Sequence, residues 1–164
     1  MDTLTDFART LGLTIEYRRI NGRDGEYRHD LKRIRLRPGM TQRLERSVLA
    51  HELAHAVLGD VPSKFGLVNV KQERRADEWA ATRLISLDAY REAEMLREAH
   101  APAMAHDLGV ITRLVHAYQR VIEREALHAE LEPRIARETT AHWLALLEAA
   151  QVPCTRINTM DQVF

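Results

Sequence analysis

One stretch of the chain constrains the fold most, because it is apolar on nearly every side of a helix and still carries polar residues. It covers residues 48–58, VLAHELAHAVL, and its polar members are His51, Glu52 and His55. A surface helix keeps a polar face, so we expect a helix of this composition to be buried. Its polar side chains then need partners, since each unpaired one costs about 1–3 kcal/mol.

The spacing of the two histidines indicates what that partner is. His51 and His55 are four residues apart, which places both imidazoles on one helix face, where they can bind one ion. Glu52 projects from the same turn without competing for that position. This His-Glu-x-x-His arrangement is typical of zinc peptidases, in which the histidines bind the metal and the glutamate is the general base. The alternative is a chance match in an ordinary packed helix.

A second predicted helix, residues 71–85, offers the third protein ligand that a catalytic zinc site needs. Glu73 and Asp77 lie one turn apart on one face of it. We expect Glu73 to bind the metal and Asp77 to accept a hydrogen bond from the free ring nitrogen of a ligand histidine. Glu78 is the competing ligand, but on an ideal helix it points about 140° away from Glu73.

The paired motifs resemble the ImmA/IrrE family of zinc metallopeptidases, over roughly residues 13–120. They are residues 47–55, SVLAHELAH, and residues 73–81, ERRADEWAA. By this resemblance the zinc ligands would be His51, His55 and Glu73. Glu52 would be the catalytic base, and Asp77 would be the hydrogen-bond partner of a ligand histidine. Members of the family cleave helix-turn-helix repressors, so it also implies a protein substrate of that kind, encoded separately. Many such enzymes add a Tyr or His that stabilises the oxyanion, and the candidates are Tyr90, His100, His106 and His116.

Composition limits the other partners and the compartment. The 24 basic and 24 acidic side chains of this 164-residue chain cancel, so no overall field favours nucleic acid or an anionic membrane. The single cysteine, Cys154, excludes an intramolecular disulfide and suits a reducing compartment. No apolar run is long enough to span a bilayer. We therefore expect a cytoplasmic protein with no membrane partner and no direct binding to nucleic acid.

The pattern along the chain predicts an α+β fold, with a small antiparallel sheet packed on a zincin-like motif helix and an all-helical C-terminal part. The predicted elements before the second helix are a helix at 3–11, strands at 13–17, 26–28 and 33–37, the motif helix at 42–58 and a loop at 60–70. Strand 33–37 alternates Ile34 and Leu36 with arginines, and it could be a sheet edge to which an extended substrate adds. The predicted divisions are a metallopeptidase core at 1–86, a helical region at 87–150 and a tail at 151–164.

The helical region contains a segment with the spacing of a helix-turn-helix, residues 101–120. A DNA-binding role would place Arg113, His116, Gln119 and Arg120 on its exposed second helix. The neutral charge favours a helical corner that packs on the core or helps to dock a substrate. Beyond it we predict one helix to about residue 132, a second opened by Pro133, and a possible homodimer through these C-terminal helices.

The sequence therefore predicts a zinc endopeptidase that cleaves a specific repressor, and leaves two alternatives open. One is a non-catalytic regulator that keeps the zinc fold and acts by binding a repressor. The other is a DNA-binding regulator that uses residues 101–120.

Overall fold

The structure is a computed structural model that describes residues 3–61 and 65–154. Its elements are α1 (Leu4–Thr10), β1 (Thr14–Tyr17), β2 (Gly25–Arg28), β3 (Arg33–Leu36), α2 (Gln42–Val57), α3 (Gly66–Leu84), α4 (Leu87–Leu96), α5 (Ala101–Asp107), α6 (Thr112–Ile135) and α7 (Thr140–Ala149). The predicted α+β class is confirmed. Two compact units divide the chain, Met1–Val121 and Ile122–Phe164. Within the described ranges, no helix is both long enough and apolar enough to cross a membrane.

The sheet has three strands in the order β1-β3-β2 and is mixed rather than antiparallel. β2 and β3 are antiparallel neighbours, as predicted, but β1 runs parallel to β3, with Thr14 opposite Arg33. The antiparallel prediction was wrong for this pair, because alternation shows which face of a strand is buried and not which strand lies beside it. β3 is consequently the central strand, so the prediction that it forms an edge for a substrate was also wrong. The edges are β1 and β2.

The inner face of the sheet packs on α2. Ile34 and Leu36 are fully buried against Val48, Leu49 and Leu53 of the helix, and the arginines of β3 lie on the other face, as predicted. Those arginines are half-buried and form ion pairs across the strands, for example Arg33 with Glu16 at 3.1 Å. The outer face is therefore a mixed-charge surface and not a basic strip.

Small side chains let α2 and α3 approach closely. Ala50 and Ala54 of α2 are fully buried, as are Ala76, Ala80 and Ala81 of α3. Where helices meet through alanines, their backbones come near enough for short polar side chains on both to share one site. α3 begins at Gly66, five residues earlier than predicted, with Phe65 at its N-cap and no side-chain capping bond. The absence of a capping signal is the reason that the sequence did not reveal this start.

The remaining helices of the first unit complete its core. Tyr90 of α4 and Met104 of α5 are buried with Leu114 and Tyr118 of α6, and the two tyrosine rings lie 5.1 Å apart. In the second unit α6 continues to Ile135, so the prediction that Pro133 opens a new helix was wrong. Pro133 lies two residues before the end of α6 and removes one backbone N–H, and with it one hydrogen bond of the last turn. The next helix begins at Thr140, where the Thr139 hydroxyl caps it.

Candidate metal centre

The buried face of α2 brings the two histidines of the motif together. Both imidazoles are largely buried, and their Nε2 atoms lie 3.1 Å apart, with the rings almost perpendicular. Their spacing of one helical turn is what produces this arrangement, as predicted from the sequence. Two nitrogen lone pairs can therefore converge on one position.

The Glu73 carboxylate reaches the same position from α3. Its oxygens lie 3.2 Å from His51 Nε2 and 3.6 Å from His55 Nε2. One ligand atom from each of the three residues lies within 4.8 Å of the other two, so the group can hold a metal ion. Glu73 is 59% exposed while His51 is 7% exposed, so the group is open to solvent on the Glu73 side.

Each histidine is also held through its other ring nitrogen. His51 Nδ1 bonds Asp77 Oδ1 at 2.9 Å, the partner that the sequence predicts, and His55 Nδ1 bonds Asp60 Oδ2 at 3.0 Å. A carboxylate on Nδ1 fixes the tautomer and leaves Nε2 free to bind a metal. Both carboxylates are buried.

Asp60 is a site residue that sequence reasoning missed. It follows Gly59, whose φ of +66° turns the chain at the end of α2, and its N–H donates to the His55 carbonyl at 2.9 Å. This turn places the Asp60 carboxylate beside the His55 ring. The available signal was an acidic residue directly after the glycine that ends α2. This pattern is common at helix ends that belong to no functional site.

Each of the two carboxylates has an arginine as a further partner. Arg75 of α3 pairs with Asp60, and Arg113 Nε at the start of α6 lies 3.2 Å from Asp77 Oδ1. The DNA-binding alternative would place Arg113 on an exposed, DNA-facing surface. In the structure it instead belongs to the surroundings of the metal-binding group.

Glu52 lies beside this group and under β2. Burial raises the pKa of its carboxyl, and the positive charge of His51 and a hydrogen bond to the Tyr27 backbone offset this only in part. β2 lies very close to it, since a Cβ built on Gly25 would be 2.7 Å from Glu52 Oε1. A carboxylate with a raised pKa accepts a proton more readily than a solvated one, as a general base needs to.

The charges within the group are coupled. Burial alone would lower the pKa of His51, but its hydrogen bonds to Asp77 and Glu73 outweigh burial and raise that pKa to about 9. The hydrogen bond from His51 in turn lowers the pKa of Glu73. The carboxylates that raise the pKa of His51 would also stabilise a cation bound at this position.

The metal-binding group lies in a cleft of about 680 Å³. β2 lines the cleft along its whole length, from Gly25 to Arg28, and Arg113 also lines it. The edge strand beside the metal-binding group is therefore β2.

The other candidate residues lie elsewhere. Glu78 is within 4 Å of Arg74 and Arg120 and does not belong to the metal-binding group. The Tyr90 hydroxyl is buried and donates to Glu94 at 2.7 Å. His100, His106 and His116 are exposed, and none of these four oxyanion candidates lines the cleft.

The predicted helix-turn-helix segment is present as α5, a turn at Gly109 with a φ of +63°, and the start of α6. The residues that a DNA-binding role would expose have partners within the protein. Arg113 lies against Asp77 and Arg120 near Glu78, while His116 Nδ1 and Gln119 Oε1 are 3.0 Å apart. These pairs favour a packed corner over a DNA-binding surface.

Parts of the chain are similar to two protein families. Residues 8–117 match the peptidase family described as the IrrE N-terminal-like domain. Residues 75–164 match CoA-transferase family III. The second match begins within α3, after Glu73, and contains none of the three residues of the metal-binding group. No curated protein matches the chain.

Proposed function

Since the chain belongs to the peptidase family of the IrrE N-terminal-like domain, we propose that it is a zinc-dependent endopeptidase. The family, together with a group able to hold a metal, supports a metallopeptidase. Zinc and cleavage within a peptide chain are the more specific parts of the proposal. The observation that carries the proposal is the convergence of His51, His55 and Glu73 within 4.8 Å in a cleft.

Zinc fits the donor set of these residues. Two imidazole nitrogens and one carboxylate form the ligand set of many catalytic zinc sites, which keep a fourth position open. Outer carboxylates that hold both imidazoles are a further feature of such sites. When bound, zinc supplies Lewis acidity, which lowers the pKa of water and polarises a peptide carbonyl.

Glu52 is the proposed general base. Its carboxylate would take a proton from the attacking water and pass it to the nitrogen of the leaving amine. Its burial beneath β2 raises its pKa, which makes the carboxylate a better acceptor for the proton of the water.

The substrate would bind along β2. An extended peptide can add to an exposed strand edge through main-chain hydrogen bonds. β2 is an edge strand, lines the cleft and lies against Glu52, so a peptide added to it would pass the metal-binding group. These observations support an endopeptidase, because a strand edge continues in both directions from the reacting bond.

The proposed substrate is a separate helix-turn-helix repressor, and its support is the resemblance of the paired motifs to the ImmA/IrrE family. Cleavage would relieve repression. Zinc as the metal, a cytoplasmic location and dimerisation through the C-terminal helices are further parts of this proposal.

Zinc content tests the site. We expect one equivalent of zinc in the purified protein by mass spectrometry, and loss of most of it in Glu73→Ala. The matched control is Glu78→Gln, on the same helix, which should retain the metal. A parent protein that takes up no zinc after reconstitution would exclude the proposed enzyme.

Glu52→Gln tests the chemistry and distinguishes an enzyme from a binder. The variant should keep zinc and hold an uncleaved repressor, which pull-down and mass spectrometry would identify. Incubation of that repressor with the parent protein should then give two fragments. If Glu52→Gln relieved repression in cells as well as the parent does, the non-catalytic regulator would be the better account.

A further inference from the structure

Arg113 lies in the cleft beside the metal-binding group. Its Nε atom is 3.2 Å from Asp77 Oδ1, the oxygen that also bonds His51 Nδ1. Its side chain is 52% exposed and lines the cleft. Within the described ranges no other hydrogen bond or ion pair holds the guanidinium, so its two Nη groups can still donate to a ligand.

The backbone holds Arg113 in this position. The N–H of Ile111 donates to Ser47 Oγ on α2 at 3.1 Å, and this bond joins the start of α6 to the motif helix. Arg46 of α2 adds a hydrogen bond to the Gly109 carbonyl at 3.4 Å. With Asp77 holding Nε, the guanidinium is oriented before a ligand arrives, which lowers the entropy lost on binding.

The other cleft arginines are less suited to hold a peptide. Arg28 is already committed, since two of its nitrogens bond the Asp30 carboxylate at 3.1 and 2.9 Å. Arg23 is exposed, and no described ion pair orients it. Arg113 is therefore the cleft arginine that is both oriented by a carboxylate and still able to donate.

A peptide bound along β2 leaves acceptors for such a donor. In an extended strand only half of the main-chain carbonyls point toward the neighbouring strand, and the others point away from it. Those carbonyls lose water when the peptide enters the cleft, and each needs a donor in exchange. A charged N–H donor makes about twice as strong a bond to a carbonyl as a neutral one.

We propose that Arg113 is a substrate-binding residue that donates to a main-chain carbonyl oxygen of the peptide beside the scissile bond. This inference rests on the proposed peptidase function. It gives Asp77 a second task, because the same carboxylate orients both a ligand histidine and the arginine that holds the substrate. Recognition of a main-chain group positions any peptide sequence and contributes no side-chain specificity.

Two probes separate this role from an effect on the metal site. Acetohydroxamate binds a catalytic metal and has almost no peptide backbone. A phosphonamidate pseudotripeptide, carbobenzoxy-Gly-PO₂-Leu-Ala, binds the metal and also carries flanking carbonyls. Calorimetry with both probes would compare the zinc-loaded parent, Arg113→Gln and Arg113→Lys. The matched control is Arg120→Gln, which removes an arginine of the same helix that also faces an acidic residue of α3.

We expect Arg113→Gln to weaken the phosphonamidate about ten- to a hundredfold and to leave acetohydroxamate within about twofold. Arg113→Lys should recover part of the loss, and Arg120→Gln should change neither probe. Equal weakening of both probes by Arg113→Gln, or no weakening at all, would overturn the inference.

The parent protein separates this inference from the proposed function. If the parent binds neither zinc nor acetohydroxamate, the proposed function fails as well. A parent that binds zinc and acetohydroxamate but not the phosphonamidate would contradict only the peptide-binding role of the cleft and of Arg113.

Discussion

At the scale of single residues, a carboxylate holds the Nδ1 atom of each histidine of the metal-binding group. Asp77 supports His51 from α3, and Asp60 supports His55 from the turn after α2. Because the two bonds are of similar length, 2.9 and 3.0 Å, we expect the two carboxylates to contribute to zinc affinity to a similar degree. Sequence spacing suggested only Asp77.

Asp60→Asn should weaken zinc binding about 10- to 100-fold, because the amide keeps the shape of the side chain and loses the charge that orients His55. Competition with a chelating dye would measure the affinity, and circular dichroism would check folding. Asp107→Asn is the control, since it also removes a carboxylate that pairs with an arginine, at 2.6 Å, but outside the cleft. Equal affinity in parent and Asp60→Asn would show that the Asp60 bond does not position the ligand.

Zinc affinity should depend steeply on pH. A metal must displace the proton of His51, whose pKa in the metal-free protein is raised to about 9. Below that pH the apparent affinity should fall about tenfold for each unit, whereas for an ordinary histidine this fall would begin only near its usual pKa of about 6.5. The same dye competition at a series of pH values measures the slope. An affinity that is constant between about pH 7.5 and about pH 8.5 would show that His51 is already neutral there.

The metal-binding group and Asp77 could be predicted, whereas Asp60 and Arg113 could not, for one physical reason. Helical geometry alone places His51, Glu52 and His55 on adjacent positions of one element, so their spacing in the sequence carries the information. Asp60 and Arg113 reach the site through a turn and from a distant helix. Their positions depend on tertiary packing, for which a single sequence contains no periodic signal.

At the scale of elements, the position of β2 against α2 depends on one glycine. A Cβ on Gly25 would lie 2.5 Å from Val48 Cγ1 and 2.7 Å from Glu52 Oε1. Real Cβ atoms do not approach other atoms so closely, so a side chain here must move the strand or the helix side chains. The edge strand and the proposed base are therefore coupled.

Gly25→Ala should destabilise the protein by about 1–3 kcal/mol, because it overpacks this contact. It should also reduce peptide cleavage more than zinc binding, since it displaces Glu52 and β2 and leaves the histidines in place. Gly66→Ala is the control, because its Cβ would meet nothing within 4 Å in the described structure. Thermal melts would measure the stability of both variants. A Gly25→Ala protein that melts like the parent would contradict the close packing of β2.

Elements with a local signal were predicted well, and those without one were not. Thr3 and Thr41 cap α1 and α2 where the sequence indicated a start. The order of the strands depends on long-range pairing, so the parallel neighbour of β1 was not visible. Similarly, α3 begins at Gly66 without a capping residue, and α6 extends through Pro133.

At the scale of the whole chain, the metal-binding group and its supports all belong to the unit Met1–Val121. The sequence instead predicts a core that ends at residue 86, and this boundary stays a prediction. α4, α5 and the first part of α6 supply buried residues of that unit, such as Met104 and Leu114. The part of α6 after Ile122 is exposed.

Two fragments decide between these boundaries. Residues 1–121 should fold cooperatively and bind zinc like the full chain, because they contain the metal-binding group and every described residue that is buried. Residues 1–86 should aggregate or stay unfolded, since they lack Ile111, whose N–H bonds Ser47 of the motif helix, and lose the buried side chains of α4 to α6. Thermal melts with and without zinc, beside the full chain, measure both. Cooperative unfolding and zinc binding in 1–86 would instead establish the shorter core.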